Sequence, residues 1–258
     1  MSKAVAAKKE TSNGIVTFDP SIFERDAGLG MGDLSQEDRA IPFLKVLSRQ
    51  DPILDDLDTA KAGDILNTVS NEVYAGKTGV RVIPCAYQRR FIEWAPRGSG
   101  SGAPVNIYSP DDQRPRTERG DDNKDYVVGG NGSYIEESHQ HFVLIINEDG
   151  TTATAVIAMK STQLKKSRKW NSTIHQRTLM GKNGPFTPPR FSHVYRLKTV
   201  SEENSKGSWH GWDIGLEGVV EDVGQYGQAK AFAESIMKGE VEAKHTSEGS
   251  DESNDAPF

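Results

Sequence analysis

The chain has 258 residues, 35% of them hydrophobic, and a formal net charge of −6. That length allows one large domain or two small ones around a modest core, and the overall charge is not that of a nucleic-acid binder. Cys85 is the single cysteine, which excludes an intrachain disulfide framework and a Cys-based zinc site. No apolar run reaches the roughly 18 residues of a transmembrane helix, and the opening MSKAVAAKKETSNG lacks the apolar stretch of a secretory signal.

Residues 1–33 are polar and weakly periodic and are expected to be disordered. From 34 to 62 short apolar groups alternate with Pro42 and Pro52, which forbid a long helix and predict an extended lead-in to a sheet. β signals begin at Gly63. Asp64–Asn67 and Glu72–Tyr74 flank a turn at Ser70-Asn71, and Gly79–Pro84 leads into Ala86–Trp94, all β-branched or aromatic runs of strand length. On that last strand, alternation sets Arg90 and Ile92 on one face and Arg89, Phe91 and Glu93 on the other.

Residues 97–135 open with RGSGSGAP and continue as nearly pure charge, which predicts a flexible excursion. His141–Ile146 and Thr152–Met159 then form a strand pair around Asn147-Glu148-Asp149-Gly150, where Asp-Gly signals a hairpin. Residues 161–177 read as a helix capped by Ser161 or Thr162, with sparse apolar positions at Leu164, Trp170 and Ile174. GKNGPFTPP (181–189) reads as a loop. Val194–Val200 and Ser208–Ile214 form a last hairpin, and 226–237 an amphipathic helix with Tyr226, Ala229, Ala233 and Ile236 on one side. The fold expected is therefore β-rich α+β: an OB-like β-barrel with an inserted helix and long loops, or an irregular α+β fold of the same elements. One domain spans 34–238, followed by a disordered acidic tail at 239–258.

The average charge hides an asymmetry. Residues 160–200 hold ten bases and no acid: Lys160, Lys165, Lys166, Arg168, Lys169, Arg177, Lys182, Arg190, Arg196 and Lys198. Trp170, Phe186, Phe191 and Tyr195 are interleaved. Bases neutralise phosphates, and aromatic faces stack on nucleobases without reading their identity, a combination that suits single strands more than duplex. Any one of these aromatics is equally at home in the core. Arg89 and Arg90, near Phe91 and Trp94, form a smaller cluster that could extend the groove.

At the other extreme, SEGSDESNDAPF (247–258) carries four acids, no base, and ends in Pro257-Phe258. Such a string is a tethered ligand: Asp251, Glu252 and Asp255 seek a basic surface, while Phe258 and its carboxylate fit a small apolar pocket ringed by Lys or Arg. Bacterial and phage single-stranded DNA-binding proteins end in a similar way. STQLKKSRKWNS (161–172), GPFTPPRFSHVY (184–195) and Lys206-Gly207-Ser208-Trp209 resemble single-stranded DNA-binding proteins of tailed bacteriophages, of the short-tailed group, over about residues 35–215. The resemblance implies a phage replication or transcription protein in the cytoplasm of an infected host. Its tail would recruit replication proteins or RNA polymerase. A homo-oligomer is left open.

Other motifs fail. Gly76-Lys77-Thr78 lacks the glycine of a phosphate-binding loop, since Asn71 stands there. Glu136, Glu137, His139 and His141 put two histidines on one strand face but offer no evident third metal ligand. Asp111, Asp112, Asp121 and Asp122 lie in a loop too mobile for a two-metal nuclease. Cys85 beside Pro84 reads as a core thiol. No catalytic residue, metal or cofactor is expected, and the protein is read as a binder. A promoter-binding transcription regulator is the alternative.

Overall fold

The computed structural model describes residues 21–32, 40–96, 98–99, 102–205 and 207–243. Its contacts divide the chain at residues 39 and 40. In the first unit a short helix, α1 (Ser21–Arg25), carries an exposed Arg25–Asp26 ion pair at 3.0 Å. The second unit contains β1 (Leu44–Val46), α2 (Ile53–Asp56), β2 (Ile65–Asn67), β3 (Val73–Tyr74), β4 (Val80–Trp94), β5 (Asn106–Tyr108), β6 (Thr117–Arg119), β7 (Asp125–Val127), β8 (Tyr134–Ile146), β9 (Thr152–Lys160), α3 (Leu164–His175), β10 (Leu179–Gly181), β11 (Gly184–Phe186), β12 (His193–Asn204), β13 (Gly207–Val219) and α4 (Val223–Met237).

The frame is the long antiparallel pair β4–β8, which runs from Arg81↔Ile146 to Trp94↔Tyr134. At its lower end β9 pairs with β8, and β12 pairs with β4 and then β13. At its upper end β5 pairs with β4, and β7 then β6 extend from β8. Pro84 sits inside β4 because a bulge relieves the ladder there: Pro84 faces Val143, Ala86 faces Phe142, and Cys85 is the extra residue, buried as expected. Gly79 opens β4 with φ +72°, and a Cβ there would meet the Leu197 carbonyl at 2.1 Å, so glycine is what lets β12 start its ladder on β4.

Alternation gives the sheet two apolar faces. Val80, Val82, Val143, Ile145, Ala155, Ile157, Met159, Tyr195, Leu197 and Trp212 pack under the β1–β3 meander and α3. Ile83, Phe142, Leu144 and Val194 pack under α4 through Ala229, Phe232, Ala233 and Ile236. The meander meets one side of the sheet where Val156 N–H donates to the Pro42 carbonyl at 2.8 Å. It meets the other side where Thr199 N–H donates to Gly76 at 3.0 Å. Spanning both sides, it holds the sheet strongly curled. Asp222 caps α4 by accepting from the Gln225 N–H at 2.7 Å. No helix among the described residues is long and apolar enough to cross a membrane.

Three expectations change. The stretch 97–135 is not a featureless excursion, since it supplies β5, β6 and β7. β8 begins at Tyr134, seven residues before the strand expected at His141, because the polar run Glu136–Gln140 pairs with β4. The 181–189 loop contains half of the β10–β11 hairpin.

Candidate nucleic-acid interface

α3 is fixed by one face. Ser167 and Trp170 are buried and Ile174 packs beside them, the i, i+3, i+7 spacing of an amphipathic helix. Just before it, the buried Gln163 accepts from the Trp212 N–H at 3.1 Å and closes part of the β13 edge. Trp170 stacks on His141 at 4.6 Å and meets Tyr195 edge-on at 5.7 Å. With Trp170 2% and Tyr195 1% exposed, both rings serve the core, and neither offers a face to a nucleobase.

The four bases of 165–169 fan out around the helix. Lys165, Arg168 and Lys169 are exposed. Lys166 turns toward β12 and pairs with Glu202, which also accepts from the Trp209 indole N–H at 2.9 Å. The remaining predicted residues scatter. Lys160 is buried and paired with Glu136 at 2.7 Å. Arg196 pairs with Glu217, which Arg81 also engages at 2.7 Å. Phe191 packs on Tyr226 of α4 at 5.2 Å. Arg90 faces away from Arg89, in register with Ser138. Lys198 is exposed on β12, and Lys182 sits at the β10–β11 tip between exposed Met180 and Phe186, with Arg177 at its base. The lack of acids within 160–200 therefore does not leave all of these bases uncompensated, because Lys160, Lys166, Arg168 and Arg196 meet Glu136, Glu202, Glu137 and Glu217, all outside that stretch.

Above the core, the α3 side of β4–β8 turns polar. Arg190, partly buried with its guanidinium enclosed, donates to His141 Nδ1 at 2.8 Å and to Asn171 Oδ1 at 2.9 Å. Ser167 Oγ lies 2.7 Å from both His141 Nε2 and His139 Nδ1. His139 Nε2 lies 2.9 Å from Glu137, which Arg89 also meets at 2.9 Å and Arg168 at 3.7 Å. The partners dictate the protons. Arg190 only donates and the Glu137 carboxylate only accepts, so His141 carries its proton on Nε2 and gives it to Ser167. Ser167 donates in turn to His139 Nδ1, and His139 Nε2–H donates to Glu137. Each link is satisfied once, with both imidazoles neutral. Burial holds both histidines below the usual range, His141 well below, with Arg190 acting in the same direction there. Burial also lowers the Arg190 guanidinium to about 10. Glu137 stays below its usual value because His139 and Arg89 outweigh its burial.

The histidines thus face one side as the strand alternation requires, but they converge on a serine. Among the described residues no group of three His, Cys, Asp or Glu is placed to hold a metal ion. What the relay builds is a rim. Arg168 and Arg89 flank Glu137, Arg89 lies 4.9 Å over the Phe91 ring, and Arg114 lies 3.5 Å over the same ring. Tyr87 borders this rim against His139 and His141. Sequence reasoning misses Tyr87 and Arg114, names Phe91 only as a neighbour of the Arg89–Arg90 cluster, and weighs Glu137 only as a metal ligand. The placement of Arg89 and Phe91 on one strand face was the signal available for the rim. Asp251, Glu252, Asp255, Pro257 and Phe258 lie outside the described residues.

The Pam3 phage gp34-like protein family matches residues 10–242. The chain belongs to this family and is a phage protein. No curated protein and no solved structure matches it.

Proposed function

We propose that this phage protein binds single-stranded DNA with little regard to sequence, coating or protecting it during replication in the cytoplasm of the infected host. It makes and breaks no bond. The observation that carries this reading is the junction of α3 with the upper β4–β8 face. There Arg168 and Arg89 share Glu137, Arg89 and Arg114 lie over the Phe91 ring, Tyr87 borders them, and Lys165 and Lys169 are exposed on the same helix as Arg168. Cations beside half-buried rings suit a flexible strand whose bases can turn inward. The curled sheet, with α3 following β9, is compatible with an OB-like barrel. The acidic segment 247–258 recruits a replication protein or RNA polymerase and competes with DNA for the basic rim when no strand is bound.

Gel-shift with labelled oligo(dT) and with duplex of equal length tests this. Oligo(dT) should bind more tightly, and a chain lacking 247–258 should bind it equally or better. Equal affinity for duplex contradicts the single-strand reading. Weaker binding by the shortened chain contradicts the competition.

A further inference from the structure

We infer that Phe91 is a stacking platform for a nucleobase and that the Arg114 guanidinium occupies the base's place until a strand arrives; this rests on the single-strand reading of the same rim. Phe91 lies on β4, on the face shared with Arg89 and opposite Glu137 in the β8 register. It is partly buried, so its position is fixed by the ladder while its ring stays reachable. Above it is a flat, delocalised cation only 3.5 Å from the ring centroid, the separation of a stacked pair.

That cation comes from the segment between β5 and β6, residues 109–116. The segment is folded by a turn in which Ser109 N–H donates to Asp112 Oδ2 at 2.6 Å. Arg114 forms no ion pair among the described residues, although Asp111 and Asp112 are close in sequence. An arginine held by a ring in preference to neighbouring carboxylates marks a surface that favours a planar partner. An exposed cation–π contact is weaker than base–aromatic stacking, so a base can replace it. The displaced guanidinium keeps its charge and lies within reach of the flanking phosphate, so the exchange leaves the positive charge of the rim intact. Arg89, at 4.9 Å from the same ring and tied to Glu137, stays to guide the backbone.

The test uses the full chain, its F91L, F91Y and R114A variants, and two strands of equal length: oligo(dT) and an abasic deoxyribose-phosphate polymer. The wild type should prefer oligo(dT). F91L, with unchanged circular dichroism, should lose about 5- to 150-fold affinity for oligo(dT) and none for the abasic strand. F91Y should restore the preference and R114A should retain it. If F91L weakens both strands alike, or neither, or if R114A erases the preference, the platform is not Phe91. A wild-type chain that binds neither strand removes the single-strand reading and this inference with it. One that binds both strands with no contribution from Phe91 removes this inference alone.

Discussion

The two halves of the β4–β8 pair share strands and a single ladder yet do different work. Below the Pro84–Ala86 bulge, Val82, Ile83, Val143, Leu144 and Ile145 are all buried, because α3 and the meander cover one face and α4 the other. Above it, the α3-side face carries Tyr87, Arg89, Phe91, His141, His139 and Glu137. Backbone hydrogen bonds do not depend on side-chain polarity, so the strands run past the end of the core and hold charged groups as firmly as they hold the apolar ones. α3 belongs to both regions. Its inner face joins the core through Trp170 and the relay through Ser167, and its outer face presents Lys165, Arg168 and Lys169.

If this division is right, changes on α3 separate cleanly. Trp170→Ala should cost about 3–5 kcal/mol of stability, measured by denaturant unfolding, because it empties a buried ring site. Trp170→Phe should keep the fold and leave DNA affinity unchanged. A large loss of affinity in that variant would return Trp170 to the binding surface. Reversing Lys165, Arg168 and Lys169 to Glu should instead leave the circular dichroism spectrum alone and weaken oligo(dT) binding by about a hundredfold at low salt. Lys166→Glu alone should do the opposite, lowering stability by setting two carboxylates against each other at Glu202 while sparing affinity.

Smaller effects probe the relay that joins the halves. Ser167→Ala should cost about 1–3 kcal/mol, since both histidines lose their shared partner in a buried place. The relay also predicts a pH dependence. His139 and His141 are held neutral by burial, and His193, also lowered by burial, acts in the same sense. The unfolded chain therefore takes up protons first, from about pH 6.5 downward. Stability is full above that point and falls as the pH drops from 6.5 toward 5, before the carboxylates titrate. His141→Asn should reduce stability at pH 7 yet flatten this fall in denaturant titrations. An unchanged slope would contradict the neutral, ordered relay.

Much of the fold was legible because local signals agreed with tertiary ones: Asp149-Gly150 marked the β8–β9 turn, and alternation marked β4 and its two faces. The interface was less so. The bases of 160–200 look unopposed when counted along the chain, but Lys160, Lys166, Arg168 and Arg196 find acids on strands distant in sequence. Pairing across a sheet is invisible to composition. Trp170 and Tyr195 could be core or platform by residue type alone, and only burial decides between them. The run Glu136–Gln140 reads as a solvated approach to a strand. It is a strand because Arg89, Lys160 and Ser167 meet its polar groups from three other elements.

The central claim is that the α3 rim holds the phosphates of a single strand. It is tested most directly by the affinity of the full chain for labelled oligo(dT) across a series of salt concentrations. With about five phosphates neutralised, log K should fall against log[salt] with a slope of about −3.5. A slope near zero would contradict the account.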